Sequence, residues 1–210
     1  MSSLTIYPLS NYQFATKEPQ LDEDPTVNAR LQRLEDDYEQ YGMRRTVEGL
    51  LIVHEHGHPH VLLLQVANTF FKLPGDYLKP GEGDIEGLKQ RLHLRLGPET
   101  PPDQQDSEMK NGGEAKAGEG WDIAEAVGQF WRPSFESFMY PYVPAHITKP
   151  KEVKTWYLIQ LPEHQVLTVP KNMKLIALPL FELYDNAVRY GPQLAAIPQL
   201  LSRFNFIYQS

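Results

Sequence analysis

Glu82, Asp84 and Glu86 stand at the head of a helical stretch, Asp84 to Leu96, whose later turns carry Gln90, Arg91, Leu94 and Arg95. Positions i, i+3 and i+4 share one helix face. Three carboxylates there could hold Mg2+ against a pyrophosphate, with substrate oxygens completing the shell. Here the face that follows Glu82 offers two guanidiniums instead. Arg has N–H donors and no acceptor, and two cations beside a divalent ion repel it by on the order of several kcal/mol at an effective dielectric near 20. Glu82 and Glu86 are ordinary residues for a solvated helix turn. No catalytic residue, no metal ligand and no cofactor is therefore expected.

Other chemistry-bearing types are equally restrained. His54, His56, His58 and His60 alternate, but Gly57-His58-Pro59 makes a turn among them and only Glu55 accompanies them. The ligand spacing of known zinc sites is absent, so a solvated turn is expected. Phe70 and Phe71 fall on opposite faces of a strand, which buries one and can present the other. Phe130-Trp131 and Tyr140-Pro141-Tyr142 suit a core or a dimer interface. Taken alone, Arg30 reads as a solvated helix charge and Glu48 as an exposed strand acid.

The elements that position these residues follow from periodicity. Residues 1–25 read as an extended N-terminal arm, and 26–210 as one domain. A helix runs from about Thr26 to Gly42, with Val27, Leu31, Leu34, Tyr38 and Tyr41 at three- to four-residue spacing. Thr46 to His54 and His60 to Phe71 read as strands, followed by a loop from Pro74 to Gly83. The helix Asp84 to Leu96 has Ile85, Leu88, Leu92 and Leu96 on its inner face. Residues of about 98–120 carry one Met and no aliphatic cluster, the composition of a disordered insertion. Strands are then expected at Val127–Phe135, Val153–Leu161, Val166–Val169 and Lys174–Leu178. Helices follow at Leu180–Asp185 and about Gln193–Phe204, the latter bent at Pro198. The order predicts an α/β class fold: an α/β/α sandwich around a mixed sheet, with an N-terminal arm and helix and C-terminal helices.

Composition limits the function classes. The 210 residues carry a net charge of −7, are 41% hydrophobic and contain no cysteine. Neither a disulfide framework nor a thiolate site is available. No apolar run approaches the roughly 18 residues of a membrane span, and the first residues lack a signal-peptide pattern. The acidic balance argues against coating long nucleic-acid backbones. It leaves open the reading of a few bases of single-stranded RNA by stacking and base-edge hydrogen bonds.

Pro74-Gly75, Gly81-Glu82, the helix Asp84 to Leu96 and Gly97 together resemble a Nudix box whose glutamate positions are filled by Arg91, Leu94 and Arg95, with Gln90 in place of its Arg. Longer words narrow the resemblance: Gly42-Met43-Arg44-Arg45-Thr46-Val47-Glu48-Gly49, Thr69-Phe70-Phe71-Lys72-Leu73-Pro74-Gly75, Tyr140-Pro141-Tyr142-Val143-Pro144-Ala145-His146 and Pro198-Gln199-Leu200-Leu201-Ser202-Arg203-Phe204-Asn205. They are similar to the small Nudix-domain subunits of pre-mRNA cleavage factor Im, across nearly the whole chain except the 98–120 insertion.

The resemblance implies a catalytically silent, homodimeric nuclear protein that binds UGUA elements in single-stranded pre-mRNA. It would serve 3′-end cleavage and polyadenylation beside a larger subunit with an RNA-recognition motif. It also implies site residues. Phe70 would stack on a base, and Arg30 and Glu48 would hydrogen-bond base edges. Thr69, Phe71 and Leu73 would line the same strand end, and Tyr190 and Gly191 would belong to a loop closing over the RNA. Asp22 falls where the family usually has Glu, and Asp76 replaces the second Gly of the box loop. The rival expectations are a Nudix-type pyrophosphohydrolase of nucleotides and a protein-interaction adaptor that does not bind RNA.

Overall fold

The computed structural model describes residues 2–21, 24, 26–67, 70–98 and 120–210. The insertion's residues 99–119 therefore lie outside the described residues, as do Asp22 and Thr69.

A seven-stranded mixed sheet is built from β3 (Arg44–Glu55), β4 (His58–Ala67), β5 (Phe70–Lys72), β6 (Gly75–Tyr77), β7 (Asp122–Arg132), β8 (Glu152–Gln160) and β10 (Lys174–Pro179). The main path is β10-β4-β3-β8-β7, with β5 on β4 and β6 on β3. The β3–β8 pair is parallel and its neighbours are antiparallel. β3 is buried on both faces from Leu50 to Val53, as befits a central strand. On one face Leu50, Ile52, Leu63, Trp156 and Leu158 pack with α3 (Leu180–Leu183), α4 (Ala187–Ala195) and α5 (Ile197–Leu201). On the other, Val47, Leu51, Leu62 and Ile159 pack with Leu88, Leu92 and Leu96 of α2 (Asp84–Leu96). This is the expected α/β/α sandwich.

Helix α1 (Val27–Tyr41) has Thr26 as its N-cap, whose hydroxyl accepts from the Ala29 N–H at 3.1 Å. It stops at Gly42, which sits at φ +78, where a side chain would be strained. Its apolar stripe is only partly used: Leu34 is buried while Val27 and Tyr41 are exposed. In α2 the bounds are as expected, but Ile85 is exposed. The box loop lays Leu78 against Gly87, where a Cβ would meet the Leu78 side chain at 2.2 Å. That contact turns the buried face toward Gly87.

Four further differences have physical causes. The β3–β4 turn is His56-Gly57, both at positive φ, the geometry of a two-residue hairpin turn; His58 and Pro59 therefore belong to β4. The expected strand from His60 to Phe71 is two antiparallel strands, β4 and β5. The expected helix Gln193–Phe204 is divided between the end of α4, itself kinked at Gly191 (φ 83), and α5, where Pro198 falls in the first turn and is tolerated. Finally, the first residues are extended but not detached. β1 (Ser3–Ile6) pairs in parallel with β11 (Asn205–Tyr208), and β2 (Tyr12–Lys17) with β9 (Gln165–Pro170). Leu4 and Ile6 are core residues. The Lys17 ammonium donates to the carbonyls of Leu94 (2.7 Å) and Gly97 (2.8 Å), closing the C-terminus of α2.

Candidate nucleic-acid interface

Where β3 and β8 run past the C-terminal helices, the sheet face turns from apolar to charged. Thr46 and Glu48 on β3 share it with Glu152 and Lys154 on β8, the even-numbered positions whose continuation is Leu50, Trp156 and Leu158 in the core. Arg30 of α1, Lys72 of β5 and Tyr77 of β6 complete a cavity of about 100 Å3 around them.

Its charges are interlocked. The Glu48 carboxylate accepts from the Trp156 indole N–H at 2.7 Å and from the Lys154 ammonium at 2.8 Å. Glu152 accepts from Arg132 Nε at 2.8 Å and from the Thr46 hydroxyl at 2.7 Å. Burial alone would push the Glu152 carboxyl up, but Arg132 and Lys154 outweigh it and hold the group below the usual range. Burial would likewise lower Lys154, yet Glu48 and Glu152 keep it above the usual lysine value. Arg30 contributes a guanidinium whose Nε is buried without a hydrogen-bond partner. The Arg44 guanidinium lies over the Tyr77 ring at 4.1 Å.

The opposite face carries the box helix. The Arg91 guanidinium is ion-paired with Glu82 and donates to the Tyr77 carbonyl, at 2.7 Å from Nη2. Burial pushes Glu82 up, but hydrogen bonds from Arg91 and the Lys79 N–H leave it below its usual 4.5. Arg95 holds Asp76 at 2.7 Å. Asp76 itself lies in β6 without positive φ, so the loop tolerates it in place of glycine. The neighbouring Gly75 has no such freedom. At φ +151 its Cβ would stand 2.1 Å from the Val47 carbonyl and 2.6 Å from Glu48 Cα. A larger cleft of about 670 Å3 borders Arg91, Leu94, Gln90 and Tyr41. Among the described residues no group of three or more His, Cys, Asp or Glu is placed to hold a metal ion.

Of the residues singled out in the sequence, Arg30 and Glu48 are brought to one cavity. Phe70 opens β5 with its ring 45% exposed, and Phe71 turns the other way to meet Tyr190, ring centroids 5.2 Å apart. Two placements correct the expectation. Leu73 is a core side chain, so only its backbone can face a ligand. Tyr190 and Gly191 lie within the kinked α4 rather than in a loop. Tyr190 is buried, with its hydroxyl on Glu182; burial first, then that carboxylate, pushes it up to about 12. The histidines scatter. His60 is buried against the His58 carbonyl, His54 bonds the Gln209 carbonyl at 2.7 Å, and His58 packs on Phe181. Phe130 stacks in the core on Trp156, while Tyr140 and Tyr142 are exposed. Sequence reasoning missed Lys154, Trp156, Glu152 and Arg132. Their signal was the alternation of Glu152, Lys154 and Trp156 with Val153 and Thr155 at the start of the expected Val153–Leu161 strand.

A sandwich with this strand–loop–helix at its centre is a Nudix domain. A family model described as nucleotide hydrolase matches residues 2–204. The chain is 53% identical over 203 residues to a pre-mRNA cleavage factor Im 25 kDa subunit 2 of Arabidopsis thaliana, covering 97% of this chain and 94% of that one. It is 41% identical over 208 residues to cleavage and polyadenylation specificity factor subunit 5 of Dictyostelium discoideum, covering 99% and 97%. A solved structure, the NUDIX domain of Shewanella oneidensis NrtR with ADP ribose, aligns at 15% identity and TM-score 0.41, covering 71% of this chain and 85% of that one. The chain belongs to the Nudix family, in the branch of the small subunits of pre-mRNA cleavage factor Im.

Proposed function

We propose that the chain is a catalytically inactive Nudix scaffold of pre-mRNA 3′-end cleavage and polyadenylation in the nucleus. It binds UGUA elements of single-stranded RNA as a homodimer and works with a larger subunit carrying an RNA-recognition motif. The relatives' names support the process. The observation that carries the reading is the pairing of Arg91 with Glu82 and of Arg95 with Asp76. The Glu82 carboxylate beside the box helix is already neutralised by Arg91, and Asp76 by Arg95, while Arg30 and Glu48 line a polar cavity whose wall also includes Asp76 and Arg95. Arg30 and Glu48 supply donor and acceptor groups for base edges, exposed Phe70 supplies a stacking surface, and Thr69, Phe71, Leu73, Tyr190, Gly191 and Asp22 supply the surroundings. Two linked sites raise effective affinity for paired elements.

The test pairs two assays on the full chain. Fluorescence anisotropy with UGUA and scrambled RNAs should show tighter binding of UGUA. Incubation of a diadenosine polyphosphate with Mg2+ should release no product above a blank. Turnover that disappears in Glu82→Gln would replace the scaffold with a hydrolase; absence of binding to either RNA would leave a protein-interaction adaptor.

A further inference from the structure

The Glu48 side chain is nearly enclosed and is gripped at both oxygens, by Lys154 at Oε1 and by Trp156 at Oε2. Both grips come from groups that can only donate, so they require a carboxylate that only accepts. Each donor is itself immobilised. The Trp156 ring is buried against Phe130, centroids 4.6 Å apart. Lys154 stands between Glu48 and Glu152, and Glu152 is tied in turn to Arg132 and Thr46. The result is a line of alternating charge, Arg132–Glu152–Lys154–Glu48, crossing from β7 through β8 to β3.

We propose that Lys154 and Trp156 are positioning residues that hold the Glu48 carboxylate in one orientation as an acceptor-only group, and so decide which base edge the cavity takes. The inference rests on the RNA-binding reading above. A carboxylate has about four lone-pair sites; two are occupied, and each oxygen keeps one for a ligand. Uracil and guanine present an imino N–H on the Watson–Crick edge, whereas adenine and cytosine present a bare ring nitrogen there. A fixed, ionised acceptor set against the centre of that edge therefore takes the first two and repels the ring nitrogen of the others, whose exocyclic amines it would meet only by turning. A carboxyl that rotates or protonates loses that distinction, because a protonated group also donates.

The remaining charged or titratable groups lining the cavity are Arg30 and Arg33 of α1, Lys72 of β5, Asp76 and Tyr77 of β6, Arg95 of α2, and Asp24. Asp24 is paired with Arg33 at 2.6 Å and Asp76 with Arg95 at 2.7 Å. Removing the Lys154 charge thus leaves Glu48 in an enclosed site without its bonded cation, a condition that favours protonation.

The experiment measures the preference for UGUA over scrambled RNA from about pH 5 to 8 for the intact chain and four variants, with circular dichroism confirming the fold. The unchanged protein should hold a constant preference over that range. Glu48→Gln should lose about tenfold of it at every pH. Lys154→Met should lose as much at the acid end and regain it as pH rises, while Lys154→Arg stays close to the unchanged protein. Trp156→Phe should lose preference without gaining pH dependence; if it fails to fold, the Lys154 pair decides the matter. Loss in Glu48→Gln with a full, flat preference in Lys154→Met would overturn the positioning role alone. No loss in Glu48→Gln would overturn it by removing Glu48 from the base-reading groups, whereas no preference in the unchanged protein would overturn it together with the reading it rests on.

Discussion

A guanidinium on the box helix ties down its surroundings. Arg91 fixes Glu82 and the Tyr77 carbonyl. Replacing Arg91 with Ala takes these donors from the Tyr77 carbonyl and the cation from Glu82, which keeps the Lys79 N–H, and stability at pH 7 should fall by about 1–3 kcal/mol. The pH dependence has a definite sign. Glu82 and Glu152 titrate below their usual value in the folded chain. The stability they contribute is complete above the unfolded value near 4.5 and is lost as pH falls through the lower folded values. Melting temperature should hold steady down to about pH 5 and fall below it, and the fall should be smaller in Arg91→Ala; an equal fall would show that Glu82 draws nothing from Arg91. On the proposed RNA face, Phe70→Ala should weaken all short RNAs by about 1–3 kcal/mol. Arg30→Ala should narrow the gap between UGUA and scrambled RNA. Anisotropy reads both, and unchanged affinity in the two variants would remove these side chains from the site. The two cations Arg91 and Arg95 are legible in the sequence. Their partners are not, because Glu82 and Asp76 reach them only through the folded course of the loop.

At the scale of elements, α2 was legible to its last residue because apolar spacing and Gly97 agree. The α1 boundaries were legible through Thr26 and Gly42. The short strands β6 and β11 were not: three or four residues carry too little periodicity, and their pairing is set by partners far along the chain. The charged end of β8 was hidden for a related reason. Glu152 and Lys154 alternate as solvent-facing residues do, and only the register with Thr46 and Glu48 reveals that they face one another across a cavity. Gly75 is where one element fixes another, since β6 can lie on β3 only without a Cβ at that position. Gly75→Ala should cost about 2–5 kcal/mol through strain and overpacking and should disturb the Glu48 cavity as well. A melting temperature and RNA preference both unchanged would mean the two strands can part without consequence.

For the whole molecule, a net charge of −7 implies that the proposed RNA binding would neutralise few phosphates. Affinity for UGUA should fall only gently between low and physiological salt, and a steep decline would point to backbone contacts instead. The first strands are structural members, not an appendage. Removing residues 1–17 deletes β1 and β2, exposes the core that Leu4, Ile6 and Tyr12 fill, and uncaps α2 at Lys17. Such a truncation should give a chain without a cooperative melt. The parallel pairing of Ser3 with Asn205 through Ile6 with Tyr208 also sets a timetable for the newborn chain. At roughly 5–20 residues per second of synthesis, Leu4 and Ile6 emerge from the ribosome some 10–40 s before their partner strand exists. For that interval β1 stands without its strand partner, and Leu4 and Ile6 can rest only on the earlier-made neighbours of β3 and β8.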